Sequence, residues 1–310
     1  MDKPKVISII GPTAVGKTEL GIEISKRFNG EVINGDSMQV YKEFNIGTAK
    51  VTEDEKDGIT HHLIDILEPD ETYSVSDFKK DVDNVIRNIV KNSRLPIIVG
   101  GTGFYIHATL FDFQLSNIKR NEEYVKQLEN EINQSSNEHL YNRLKKLDPE
   151  YAKKTHPNNI RRVIRALEVI ELTGETMTSI EKKQVHTSPY QPIIIGLTMD
   201  RHILYDRINK RVDQMIDDGL VEEVKTLYNK YGSTIQPMQG IGYKEFIPYF
   251  KGEYSFEDAI NLVKRNTRRF AKRQMTYFRN KIPGIKWYTI DPNKYMESFS
   301  LIFTEIEGML

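Results

Sequence analysis

Residues 9–20 read IIGPTAVGKTEL. Within them, GPTAVGKT (11–18) matches G-x-x-x-x-G-K-[ST] in full, with the apolar run KVISII before it and a helix-forming run after it. A strand, a glycine-rich turn and a helix in that order let backbone N–H groups close around an anion, and the helix N-terminus adds partial positive charge. In such a loop Gly11, Pro12, Thr13, Ala14, Val15 and Gly16 wrap a phosphate, Lys17 neutralises terminal phosphate oxygens, and Thr18 is a ligand for Mg²⁺. The bland alternative is an ordinary glycine-rich turn, against which the flanking strand and helix weigh.

On either side, residues 1–115 alternate strand and helix. A helix is expected from Lys17 to Phe28, a strand in EVINGDS ending at Asp36, a strand in HHLIDIL (61–67), a helix over 74–92 and a buried strand in LPIIVGG (95–101). Such alternation implies crossover connections and a parallel sheet covered on both faces. Ligands in these sheets bind at the carboxyl ends of the strands, where Gly11, Asp36 and Gly100 fall. From 116 to 190 the chain is polar and helix-rich; its clearest helices are EEYVKQLENEINQ and NNIRRVIRALEVIELTG, with Gly174 at a C-cap. Strand character returns in QPIIIGLTMD (191–200), followed by helices at 202–219 and 255–281 and a closing strand, IKWYTID (285–291). The expected fold is α/β: a P-loop NTPase-like parallel sheet core (1–115 and 191–310) flanked by helices, with an all-helical insertion domain at 116–190.

Composition narrows the class. Hydrophobic residues make up 38% and charged residues 28% of 310, the profile of a folded globular chain. No apolar run approaches the roughly 18 residues of a membrane helix, no signal peptide is evident, and the absence of cysteine excludes disulfides and thiolate metal sites. A cytoplasmic location is expected. The net charge is zero, but residues 1–115 carry 13 Lys+Arg against 18 Asp+Glu, and the remainder 31 against 26.

The basic excess is clustered. In SFEDAINLVKRNTRRFAKRQMTYFRNK (255–281), Ser255 and Asp258 have capping-box spacing. Phe256, Ile260, Val263, Phe270 and Phe278, with Thr267, Ala271 and Gln274 filling gaps, define an expected inward face, while Lys264, Arg268 and Lys272, with Arg265, Arg269, Arg273 and Arg279, form an unpaired stripe. Like charges at i, i+4 oppose the helix, so the stripe calls for an anionic partner. A second cluster holds Arg161, Arg162 and Arg165, with Lys153, Lys154 and His156 upstream. One cluster is commonly a solvated face; two favour nucleic acid over an acidic protein.

The strand LPIIVGGT ends in Gly-Gly-Thr, where an ATPase commonly has a Mg²⁺-binding Asp. Asp36 is therefore either a carboxylate near the metal, as in many kinases, or a base for an incoming nucleophile; the motif alone allows both. Thr102 could reach what Asp36 reaches, or simply close a turn. His61, His62 and Trp287 read as structural, and Tyr243 as a stacking or hydrogen-bonding group in a glycine-rich turn.

Together, GPTAVGKT, NGDSMQVYKEFNIGTAK, HHLIDI, YSVSDF, PIIVGGTGFY, HPNNIRRVIRALEV, MQGIGYKE and AKRQMTYFR resemble the tRNA dimethylallyltransferase (tRNA isopentenyltransferase) family, in family order from residue 6 to about 279. The resemblance implies transfer of a dimethylallyl group from dimethylallyl diphosphate to the exocyclic amine of the adenosine 3′-adjacent to the anticodon. The loop would then hold a diphosphate that leaves, stabilised by the amides of residues 13–18, Lys17 and Mg²⁺ near Thr18. It further implies that Asp36 accepts the amine's proton, that Thr102 hydrogen-bonds the same amine, and that Arg211 approaches the diphosphate. Segments implied to meet tRNA are Asp36, Ser37, Met38 and Gln39; Thr102; Arg161, Arg162, Val163, Ile164 and Arg165; Gly240, Ile241, Gly242, Tyr243, Lys244 and Glu245; and Lys272, Arg273, Gln274, Met275, Thr276, Tyr277, Phe278 and Arg279. The implied partners are the tRNA anticodon stem-loop and dimethylallyl diphosphate, with no membrane, and the enzyme is expected to be a monomer. The chain departs from the pattern at NEEYVKQLE, where relatives often carry an arginine and Val125 or Lys126 stands here. The rivals are a nucleotide kinase, an adenylate isopentenyltransferase acting on free nucleotide, and an RNA-binding module with a regulatory loop.

Overall fold

The structure, a computed structural model, describes residues 3–113, 121–134, 136–183 and 187–310. The chain divides into one compact unit of residues 1–112 and 188–310 and another of residues 113–187. The expected boundary at 116 lies outside the described residues.

In chain order, β1 (Lys5–Ile10) runs through the glycine loop into α1 (Lys17–Arg27), β2 (Gly30–Asn34), α2 (Glu53–Lys56), β3 (His61–His62), α3 (Val75–Lys91), β4 (Leu95–Gly100) and α4 (Gly103–Leu110). The helical unit holds α5 (Glu122–Gln134), α6 (Asn137–Leu147), α7 (Pro149–Lys153), α8 (Ile160–Thr173) and α9 (Met177–Lys183). The first unit then resumes with β5 (Gln191–Thr198), α10 (Arg201–Asp217), α11 (Leu220–Tyr231), α12 (Phe246–Phe250), α13 (Phe256–Lys281), β6 (Lys286–Thr289) and α14 (Tyr295–Glu307).

The strands form one parallel sheet in the order β3-β2-β4-β1-β5-β6. Register sets the tips level: Ile10 lies opposite Gly100 and Gly196, and Asn34 opposite Val99. The carboxyl ends of β2, β4 and β1 are thus neighbours, and the loops that follow them converge. Below them Ile7, Ile9, Leu20, Ile24, Ile97, Ile195 and Leu197 are buried in one core with Phe299, Ile302, Phe303 and Ile306 of α14. A capping box at Ser255 starts α13 as its spacing predicts, and another at Ser74 starts α3.

Three expectations are corrected. The strand expected over 61–67 stops after His62, because Leu63 (φ 62°) and Asp65 (φ 54°) are left-handed and turn the chain away. The strand at 286–289 does not close the chain: α14 follows it, and α11 intervenes before α13. Phe256, expected inward, is 38% exposed in the first turn of α13 and lies on Tyr249 at 5.5 Å.

In the helical unit, Val125, Leu128, Leu140, Leu144, Tyr151, Val163, Ile164 and Leu167 make a separate core. Asp148 caps α7 through Tyr151 N–H and also accepts from the Thr178 backbone at 2.9 Å, joining α7 to α9. Gly174 stands at the C-cap of α8.

Candidate active site

The phosphate loop leaves β1 buried and enters α1 through Gly16, whose φ of 101° suits glycine and whose Cβ, if present, would meet the Tyr295 ring at 2.8 Å. Ala14 is left-handed at φ 65°, and Arg207 Nε of α10 donates to its carbonyl at 2.9 Å. Lys17 Nζ donates to Pro12 O at 2.7 Å, folding back over the loop. Burial, then the Arg211 charge, lowers the Lys17 pKa to about 7, with Asp36 acting the other way. Thr18, the second residue of α1, is exposed. One expectation changes here: Thr13 N–H is directed to Gln274 Oε1 at 3.0 Å, so it is not among the loop amides open to an anion.

Asp36 follows β2 by two residues and is fixed by its own turn. Its N–H donates to Asn34 Oδ1 at 3.0 Å, and its Oδ1 accepts from Met38 N–H at 2.8 Å. Burial raises its pKa, opposed by the Met38 N–H and the Lys17 charge. Thr102 starts α4 without capping it; its Oγ1 accepts from Ser37 N–H at 3.1 Å, so the turns after β2 and β4 are joined by one hydroxyl. Ser37, Met38 and Gln39 are half-buried, and Gln39 Nε2 donates to Thr48 O at 3.0 Å and Ala49 O at 3.2 Å. Arg211, four residues along α10 from Arg207, presents an exposed side chain whose charge reaches both Lys17 and Asp36. Lys17, Asp36 and Arg211 therefore act on one another at the strand tips, with Thr102 tied in through Ser37.

Two carboxylates hold the neighbouring loops: Glu223, which sequence reading missed, and Glu245, which the resemblance placed among the tRNA-meeting residues. Glu223 of α11 accepts N–H bonds from Asn45, Ile46 and Gly47 at 3.2, 2.8 and 3.1 Å, and the Tyr243 hydroxyl donates to it at 2.7 Å. Glu245 accepts from Gly242 N–H at 2.9 Å and from Asn266 Nδ2 at 2.8 Å. In the segment 240–245 the structure buries Gly242, Tyr243 and Glu245, leaves Gly240 and Ile241 half-buried, and exposes Lys244. Tyr243 lies against Phe44 at 4.8 Å, so its hydroxyl orders the protein's own loop.

On α13, Lys272, Arg273, Thr276 and Arg279 are exposed, Met275 and Tyr277 half-buried, and Gln274 and Phe278 buried. The stripe is partly partnered, contrary to expectation: Lys264 pairs with Asp213 at 2.5 Å and Arg268 bonds Asn209 Oδ1 at 2.5 Å. Arg273 lies over Phe270 and Arg279 over Trp287. In the helical unit, Arg161 is exposed, Arg162 bonds the Tyr151 hydroxyl at 3.0 Å, and Arg165 pairs with the buried Glu168 at 2.6 Å. Val163 and Ile164 belong to that unit's core. His62 bonds Glu31 at 2.5 Å and His61 faces Ile59 O at 2.9 Å, both structural contacts.

Among the described residues, no three His, Asp or Glu side chains converge in a way that would enclose a metal. The Thr18 hydroxyl is a hard oxygen donor of the kind that Mg²⁺ takes alongside phosphate oxygens and water.

Residues 39–281 match the family model described as IPP transferase, and residues 4–70 that described as isopentenyl transferase. The chain is 52% identical to the tRNA dimethylallyltransferase of Oceanobacillus iheyensis, over 99% of this chain and 98% of the relative, and 48% identical to that of Halalkalibacterium halodurans, with the same coverage. It is similar to the crystal structure of the full-length tRNA isopentenylpyrophosphate transferase from Bacillus halodurans, with TM-score 0.73, 47% identity, and 99% and 98% of the two chains covered. It is also similar to a eukaryotic dimethylallyltransferase acting on tRNA, with TM-score 0.85, 34% identity, and 98% and 79% covered.

Proposed function

Because this chain belongs to the tRNA dimethylallyltransferase family, we infer that it transfers a dimethylallyl group from dimethylallyl diphosphate to the exocyclic amine of the adenosine 3′-adjacent to the tRNA anticodon, releasing diphosphate. The observation that carries the reading is the group of Lys17, Asp36 and Arg211 set around an intact phosphate loop, with Gly-Gly-Thr at the tip of β4.

The allylic C–O bond breaks as negative charge grows on the departing diphosphate. Lys17 leaves Pro12 O to meet that charge, Arg211 approaches from α10, and the loop amides beyond Thr13 receive the terminal oxygens. Mg²⁺, held by Thr18 and the diphosphate, would add Lewis-acid stabilisation of the same charge. Adenine's amine is a weak nucleophile because its lone pair is delocalised into the ring. As its N–C bond forms, its proton passes to Asp36, whose raised pKa makes it a better acceptor than an exposed carboxylate. Thr102, held beside Ser37, is placed to hydrogen-bond the amine. The base must leave its stack to enter, and the exposed cations Arg161, Lys244, Lys272, Arg273 and Arg279 supply phosphate contacts to the anticodon stem-loop. The reading is of an enzyme that works as a monomer in the cytoplasm.

The test is incubation with labelled dimethylallyl diphosphate, Mg²⁺ and tRNA lacking the modification, with AMP in a parallel arm. Label is expected on the adenosine next to the anticodon. Label on AMP alone, or none on RNA, overturns the reading.

A further inference from the structure

One carboxamide touches the phosphate loop and the tip of β4 together. Gln274 of α13 accepts from Thr13 N–H through Oε1 at 3.0 Å and donates through Nε2 to Gly101 O at 3.0 Å. Its side chain is buried, with 5% of the residue exposed. The amide lies so close to Gly101 that a methyl group at that position would overlap Nε2. Across the loop, Arg207 holds the carbonyl of the left-handed Ala14. The bend at 13–14, unfavourable for a residue with a Cβ, is therefore fixed by side chains from two helices.

The two partners of Gln274 stand on opposite sides of the reaction assigned above. Thr13 belongs to the loop that receives the leaving group. Gly101 precedes Thr102, which is bonded to the turn carrying Asp36. A planar amide with one acceptor and one donor fixes the gap between them.

We propose that Gln274 is a positioning residue that sets the spacing between the diphosphate loop and the amine-side residues Thr102 and Asp36, rather than a contact to tRNA. This rests on the functional reading above. Misplacing a reacting group by about 1 Å can cost about 10²-fold in rate, and Gln274 has both its hydrogen-bonding ends engaged inside the protein. Because it belongs to the same helix as the exposed Lys272 and Arg273, the helix expected to face RNA also braces the leaving-group loop.

The test compares Gln274→Met with Gln274→Glu, using single-turnover rates at saturating tRNA, direct tRNA binding, and calorimetric binding of inorganic diphosphate. Met keeps the volume and loses both bonds. It should lower the single-turnover rate by about 10- to 100-fold and weaken diphosphate binding about tenfold, with tRNA affinity unchanged. Glu reproduces the amide only when protonated, its C=O accepting from Thr13 and its O–H donating to Gly101. Its rate, taken relative to the unaltered enzyme at the same pH, should recover as pH falls, while the Met variant shows no recovery. Loss of tRNA affinity with an unchanged rate at saturating tRNA would make Gln274 an RNA contact and overturn the proposal, as would unaltered rate and diphosphate binding in the Met variant. If the unaltered enzyme failed to modify tRNA, the functional reading would fall separately, and the diphosphate measurement would still decide whether Gln274 shapes the loop. If the Met variant did not fold, the reversible pH response of the Glu variant, measured on one folded sample, would decide.

Discussion

Lys17 and Asp36 are each moved toward neutrality by burial and toward ionisation by the other, so the charge on one depends on the other. Lys17 is a cation below about 7 in the free enzyme and neutral above it. Affinity for inorganic diphosphate should accordingly fall as pH rises through that value. In the complex the bound anion should push the Lys17 pKa back up, so the basic limb of kcat should lie at higher pH than that of kcat/KM, and coincident limbs would count against Lys17 as the group involved. On the acid side, Asp36 accepts a proton only when ionised, so kcat/KM should fall as pH drops through its raised pKa. Replacing Asp36 by Asn should cut single-turnover rate by about 10²–10⁴-fold with substrate affinities little changed; restoration by added Mg²⁺ would instead make Asp36 a metal-organising group. Lys17, Asp36 and Thr102 were legible in the sequence because glycine spacing and strand ends mark them. Glu223, Arg207 and the bonds made by Gln274, which the sequence places on the inward face of its helix and in a tRNA-meeting segment, were not, for a definable reason. Each side chain bonds the backbone of a distant segment, and a backbone N–H or C=O leaves no trace in residue identity.

The long helix α13 separates cations that hold the protein from cations free to hold something else. Replacing exposed Arg269 and Arg273 by neutral residues should weaken tRNA binding and flatten its dependence on salt. Neutralising Lys264 or Arg268, which engage Asp213 and Asn209 on α10, should leave the salt slope nearly intact. Binding titrations at several salt concentrations distinguish the two pairs, and a full slope after loss of Arg269 and Arg273 would refute the assignment. At this scale the long helices were readable, α13 from the local chemistry of Ser255 at its start and α3 from its periodicity. Failures came where tertiary contacts overrode pattern. The alternating run HHLIDIL gives the sheet only two paired residues because the chain turns to bring Leu67 into a separate bridge with Tyr41. Glu223 offers another test, because three loop N–H groups and a buried hydroxyl converge on it. Tyr243→Phe removes one donor to that carboxylate and should cost about 1–3 kcal/mol of stability, read by denaturant unfolding.

The whole molecule places its chemistry by sheet order: β1 lies between β4 and β5, so the loop after β1 opens beside the tips of β4 and β2. That geometry was readable from alternating strands and helices; the bounds of the helical unit, 113–187, depend on contacts rather than composition. With Gly-Gly-Thr after β4 and a diphosphate ester as donor, transfer should proceed with Mg²⁺ and tRNA and without ATP. A strict ATP requirement in the labelled-transfer assay would reverse this. The placement of α14 has a consequence for how the protein is made. Phe299, Ile302, Phe303 and Ile306 share a core with β1 and α1, and Tyr295 stands directly behind Gly16. Yet the ribosome synthesises α14 after every element it supports. Until α14 is made, the growing chain therefore lacks both part of that core and the wall behind its anion-binding loop. Chains ending before Tyr295 should capture little inorganic diphosphate, as calorimetric titration of such a truncation would read.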